Sequence, residues 1–174
     1  MSESVPTFDD QSKSTYNKNE KPIFLIVLCV LSSLYIVFTI SPAIIGVFDN
    51  QNAQEKLSND INRVNQIFSS VEEIPPNYLE DMSVFLNTKL ENLLFENSSL
   101  ILILLLEAYG VWLMYNLKRN GFWLYLISNI SLIILNYIIF STDNIFAFYN
   151  LFFCIFLSII FVSLYYLNLK YMTD

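Results

Sequence analysis

Glu107 is the residue of this chain on which chemistry could be built. It lies in the apolar run Leu100 to Phe140, LILILLLEAYGVWLMYNLKRNGFWLYLISNISLIILNYIIF, near the middle of the first of two spans that fold about Lys118, Arg119, Asn120 and Gly121. An isolated charge at that depth costs about 2.5 kcal/mol or more on insertion scales. The carboxyl must therefore be protonated, paired or watered.

Companions at helical spacing come from the neighbouring spans. The face of the first span that carries Glu107 also carries Ile103, Gly110 and Met114, and a glycine there lets another backbone come close. Because the two spans run antiparallel about Arg119, residues from Ser128 to Leu132 reach a similar depth. Tyr125, Ser128, Asn129 and Asn136 form one polar stripe on the second of them. Asn150, Cys154, Ser158 and Tyr165 form another further on, and Cys29, Ser32, Ser33 and Thr39 offer small or hydroxylic positions near the start of the chain. The candidate intramembrane polar site is thus Glu107 with Ser128, Asn129, Asn136 and Asn150. Three uses of it are open. A neutral Glu107 donating a hydrogen bond to Ser128, Asn129 or Asn136 would tie helices together, worth on the order of 1 kcal/mol. A proton or cation relay through Glu107 is the second, and contact with a different membrane subunit is the third.

Other chemistry is poorly supplied. With no His at all, the commonest general base and the commonest metal ligand are missing, and with them catalytic triads, zinc-protease motifs and His-ligated haem. The two cysteines, Cys29 and Cys154, each lie in an apolar run, where a free thiol behaves as a small hydrophobe, and no CxxC redox pair is present. Glu72, Glu73, Glu80 and Asp81 cluster about a turn but lack the spaced ligands and Gly of an EF-hand loop. Asn97-Ser98-Ser99 matches a glycosylation acceptor, badly placed against a membrane. No enzyme, cofactor or metal is expected. A net charge of -7 without a basic patch gives no footprint for nucleic acid.

The elements that position Glu107 follow from hydropathy. Hydrophobic residues make up 55% of the 174 positions, with a mean hydropathy of +0.48; that surplus over what a core needs implies a lipid-facing surface. An all-α membrane protein is expected: four transmembrane helices with an extracytoplasmic α-helical hairpin between the first and second. Residues 1–21 are polar and mixed in charge and form a tail. Residues 22–48 are too long for a signal-peptide core and are read as a first, retained span, kinked by Pro42. Residues 98–117, 121–140 and 145–167 are the other spans, and 168–174 a second tail. Asn120-Gly121 supplies the tight turn between two of them, and Ser141, Thr142, Asp143 and Asn144 a second turn that can also cap the last helix.

Residues 49–97 are polar, acidic and helical in period. Leu57, Ile61, Val64, Phe68 and Val71 mark one apolar stripe, Pro75-Pro76 a break, and Tyr78, Met82, Phe85, Leu86, Leu90, Leu93 and Leu94 a second stripe that can run on into the membrane span. The stripes can pack on each other, bind a membrane partner or second copy, or lie on lipid. Lys13, Lys18, Lys21, Lys118, Arg119 and Lys170 fall on one side of such a membrane and only Lys56, Arg63 and Lys89 on the other, so Lys118 and Arg119 act as topology determinants that put both termini in the cytoplasm. Tyr115, Trp123, Tyr165, Tyr166 and Tyr171 fall where an inner interfacial belt is expected.

The run GVWLMYNLKRNGFWLYLI, with Gly110, an aromatic-rich helix end, Lys118-Arg119, Gly121-Phe122 and Tyr125, resembles uncharacterised small bacterial four-helix integral membrane proteins. The resemblance implies a bacterial inner (plasma) membrane and carries no activity with it. The outline of four spans and a large first outer loop is also similar to claudins, but their W-GLW-C-C signature is missing from a loop that contains no Cys. The sequence reading is a structural or protein-interaction component acting through its hairpin, with a small transporter or channel component using Glu107 as the alternative.

Overall fold

A computed structural model describes residues 21–69, 76–140 and 144–173. The expected N-terminal tail, the acidic turn at Glu72 and Glu73, and most of the 141–144 turn lie outside them. The described residues form six α-helices: α1 (Ile23–Phe48), α2 (Asn50–Ser69), α3 (Pro76–Glu91), α4 (Leu93–Tyr115), α5 (Asn120–Ile139) and α6 (Ile145–Leu167), with a short 3-10 turn at Leu169–Tyr171. Four of them, α1, α4, α5 and α6 with its 3-10 extension, are long and apolar enough to cross a membrane. About 20 residues at 1.5 Å each span the hydrocarbon core, and each of these helices reaches that length.

Boundaries shift where local chemistry overrides composition. α4 begins at Leu93, not at residue 98, because α3 and α4 are almost one helix: Asn92 alone separates them, with φ -97° and ψ 6°. The amide of Asn92 still donates to the Thr88 carbonyl at 3.1 Å, and its own carbonyl accepts from Glu96 at 2.8 Å. Pro42 lies inside α1 and does not divide it.

The turn between α4 and α5 corrects the expectation for Asn120-Gly121. Those two residues already belong to α5, and the chain reverses over residues 116–119 with Leu117 at φ 60°. A left-handed residue closes many helices; here it is a leucine, held because the Thr173 amide donates to the Leu117 carbonyl at 2.8 Å while the Arg119 amide donates to Thr173 at 2.9 Å. Gly121 is freed for packing. A Cβ on it would stand 2.5 Å from the Gly110 carbonyl oxygen and 2.7 Å from the Met114 nitrogen, so α4 and α5 meet backbone to backbone, as small residues permit.

α4 is the centre of the bundle, packed on α5 and α1, while α6 rests on α5 and only grazes α1. The outer surfaces of α1 and α6 are apolar and exposed, Phe38 and Phe153 among them, as lipid-facing surfaces must be. At one end of the bundle, here the loop end, Lys21 Nζ sits 3.5 Å over the Tyr115 ring, beside the contacts between residues 117–119 and Thr173. The other end carries α2 and α3. Ile61 of α2 and Met82 of α3 are buried, and α2 packs on α3. α3 in turn packs on the end of α5 and the start of α6: Phe85 stacks on Phe140 at 4.7 Å, Tyr78 meets Phe146 edge-on at 4.7 Å, and Asn144 Nδ2 donates to the Asp81 carbonyl. Asn144 Oδ1 meanwhile accepts from Phe146 and Ala147, the cap that its side chain predicts.

Candidate intramembrane site

The close approach at Gly110 and Gly121 fixes what lies one turn further in. Glu107 is one turn before Gly110 on α4, and Tyr125 one turn after Gly121 on α5, so the two side chains enter the same layer of the bundle. A cavity of about 110 Å³ opens there, with Ser32 and Tyr35 from α1, Glu107 from α4, Tyr125 and Asn129 from α5, and Cys154 and Ser158 from α6 in its walls. At about 30 Å³ per water, such a volume takes about three waters.

Glu107 is 2% exposed, and its Oε2 is buried with no hydrogen-bond partner. The donors that sequence reading offered are engaged elsewhere. Ser128 Oγ donates to the Tyr125 carbonyl at 2.9 Å, Asn129 Nδ2 to the same carbonyl at 2.9 Å, and Asn136 Nδ2 to the Leu132 carbonyl at 3.0 Å. Such back-bonding to the preceding turn is what Ser and Asn do inside helices. Asn136 also accepts from Asn150 Nδ2 at 2.8 Å and lies 3.9 Å from Cys154 Sγ. The candidate residues thus separate into two groups. Glu107 and Asn129 share the cavity, with Ser128 buried beside it; Asn136 and Asn150 form a separate bond between α5 and α6.

Below the cavity, toward the loop end, the bundle is dry. Tyr165, expected in an interfacial belt, is 0% exposed: its hydroxyl donates to Ser32 Oγ at 2.9 Å, and its ring lies 4.7 Å from that of Tyr125. A buried phenol is tolerated because its polar end is paired. Tyr115, Trp123 and Tyr166 do stand exposed near that end. Leu25, Leu28, Cys29 and Met114 fill the space around the Tyr165 ring.

Above the cavity lies a larger vestibule of about 710 Å³ between α1, α2 and α4, whose walls include Asp49, Asp60, Lys89, Glu96, Asn97 and Asn150. Lys89 Nζ stands 3.7 Å from Glu96 Oε1. Asn97, the glycosylation candidate, is folded into the bundle, its amide filling the place of the Cβ that Gly46 lacks. Tyr35 lines both spaces; sequence reading passed over it, although Ser32, Tyr35 and Thr39 follow one another at helical spacing. No cluster of three or more His, Cys, Asp or Glu side chains suited to a metal ion occurs among the described residues. Comparisons with protein-family models, with curated proteins and with solved structures find no match to this chain.

Proposed function

We propose that this is a small integral membrane protein that holds a proton or a small monovalent cation at Glu107, as a transporter or channel component. The observation that carries the reading is the Glu107 carboxyl, buried, with no hydrogen-bond partner for its Oε2 and standing in the wall of a cavity that Leu132, Leu157 and Phe161 share with Ser32, Tyr125 and Asn129. A structural tie would spend both oxygens on neighbouring donors, since an unpaired polar group in hydrocarbon costs about 1–3 kcal/mol or more. A binding site leaves them facing an occupant.

The orientation proposed with it has both termini in the cytoplasm and α2–α3 on the extracytoplasmic side. Its support is the gathering of Lys21, Lys118 and the C-terminal segment at one end, the arrangement favoured by the positive-inside rule.

The test is reconstitution of the full chain in sealed vesicles with a pH dye inside and imposed proton, sodium or potassium gradients. Flux above that of empty vesicles, lost in Glu107→Gln with helicity and detergent elution unchanged, is expected; equal flux in the two proteins overturns the reading. Dicyclohexylcarbodiimide, which modifies protonated carboxyls in apolar surroundings, should label Glu107, and protection by sodium or potassium but not by choline distinguishes a cation site from a proton site.

Contact with a membrane partner or a second copy through α2–α3 is the second reading. Its stripes are largely used within the chain, since Ile61 and Met82 are buried, and what favours it is the apolar surface left over on α3, Val84 at 51% exposed. Co-purification after gentle detergent extraction, compared with a chain deleted for α2–α3, tests it; an identical set of partners would sink it.

A further inference from the structure

We infer that Glu107 is reached from one end of the bundle only, the end that carries α2–α3, and that Tyr35 is the side chain that gates the passage. The inference takes the Glu107 cavity as the site proposed above and adds its route of access.

Three observations converge on it. The first is the shared wall: Tyr35 lines the 110 Å³ cavity and also the 710 Å³ vestibule. The second is polarity. The vestibule is bordered by Asp49, Asp60 and Glu96, with Lys56 and with Lys89, which stands 3.7 Å from Glu96; the excess of one negative charge favours cations there, and low-dielectric walls focus that field. The third is the seal at the other side of the cavity. Tyr165 is wholly buried and bonded across the bundle to Ser32, the Tyr125 ring packs on it, Met114 is 0% exposed, and the Gly110–Gly121 contact leaves no room between α4 and α5.

A gate at Tyr35 can move more easily than the seal can. Its ring is 48% exposed and belongs to α1, which only grazes α6 at that face, whereas moving Tyr165 breaks a buried hydrogen bond and unpacks a filled core. Rotamer changes of partly exposed side chains are fast, on the picosecond to nanosecond scale. The side chain therefore passes an ion, a proton or a water without unfolding a helix.

Cys154 is a native reporter, since its side chain also lines the cavity. In the full chain with Cys29→Ala, Cys154 is the sole thiol, and a membrane-impermeant trimethylammonium methanethiosulfonate is added to either face of sealed vesicles. Lys56→Cys and Lys118→Cys, each in a chain with Cys29→Ala and Cys154→Ala, mark the hairpin face and the loop face. The expected result is that Cys154 is modified only from the face at which Lys56→Cys reacts, and that Tyr35→Ala accelerates modification about tenfold while Tyr35→Phe, of nearly equal size, leaves it unchanged; tenfold corresponds to about 1.4 kcal/mol of barrier. Modification from the Lys118→Cys face, a rate indifferent to Tyr35→Ala, or no modification from either face in Tyr35→Ala overturns the inference. Because labelling does not require Glu107, a Glu107→Gln chain that labels as expected but conducts like wild type would remove the binding reading and leave the route standing.

Discussion

The two ends of the bundle solve the problem of packing apolar helices in opposite ways. Toward the loop end, α4 and α5 touch through Gly110 and Gly121, and Met114, Phe122 and Tyr165 are buried in one cluster. Toward α2–α3, beside the buried cluster of Leu135, Ile139, Phe140 and Ala147, lie a cavity and a vestibule whose largely apolar walls also carry carboxylates, amides and hydroxyls, and α6 has little contact with α1. Lipid offers helices no hydrophobic reason to associate, so packing and polar bonds must hold them. The dry end supplies that packing and lets the wet end keep a carboxyl without a partner.

The largest effect should come from the dry end. Alanine at Gly121 would place a methyl group against backbone on both sides, 2.5 Å from the Gly110 oxygen and 2.7 Å from the Met114 nitrogen, and neither atom can step aside without moving a helix. Gly121→Ala should cost about 3 kcal/mol or more, at the upper end of overpacking penalties, read as a fall in thermal stability in detergent. Gly46→Ala is the control from the open end: there the obstacle is the Asn97 side chain, which can rotate, so the loss should be under about 1 kcal/mol. Equal losses at the two positions would mean that the ends do not differ in rigidity.

The next effect has the opposite sign. Glu107→Leu replaces an unpartnered carboxyl with a group that fills part of the cavity and needs no hydrogen bond. It should raise stability by about 1–2 kcal/mol while abolishing ion binding, and Glu107→Gln should raise it less. If Glu107 were a tie between helices, both substitutions would destabilise, and the same melting curves would say so.

Tyr165→Phe comes third. It removes the hydroxyl that donates to Ser32 at 2.9 Å and leaves the ring in place, so the cost should be about 1 kcal/mol. A double-mutant cycle with Ser32→Ala isolates the bond, because the two single losses should not add.

How far these two ends were legible in the sequence depends on which interactions set them. The four apolar spans, a cap for α6 from the 141–144 turn and the depth match of Glu107 with the Ser128 region follow from hydropathy, from side-chain chemistry and from antiparallel register, all of which are local or periodic. The role of Gly121 was misread because an Asn-Gly pair between two spans looks like a turn, and only the tertiary contacts of Thr173 let Leu117 take the left-handed position instead. Tyr165 fitted both an interfacial belt and the polar stripe of Asn150, Cys154 and Ser158, and nothing local says that Ser32, far away in sequence, will pair with it and bury it. The fate of Glu107 was the hardest to foresee. Ser128, Asn129 and Asn136 are at the right positions to bond it, but their own helix carbonyls compete for the same donors, and that competition is decided by rotamers rather than by spacing.

The smallest effect tests how α6 is held at the open end. Asn150 Nδ2 donates to Asn136 Oδ1 at 2.8 Å across α5 and α6, and with the weaker contact of Asn136 Nδ2 on Cys154 Sγ at 3.9 Å it ties the outer half of α6 to α5. Interhelical bonds of this kind average about 0.6 kcal/mol in membranes because the separated helices find other partners, so Asn150→Ala should lower stability by no more than that. Its consequence for access should be easier to see than its consequence for folding. α6 supplies Cys154 and Ser158 to the cavity wall and has little contact with α1 to hold it; releasing the Asn136 bond should widen the cavity and speed modification of Cys154 from the hairpin face, by a few-fold rather than the tenfold expected of Tyr35→Ala. A stability loss above about 2 kcal/mol would place α6 among the rigid elements instead, and the contrast between the ends would then lie in polarity and not in packing.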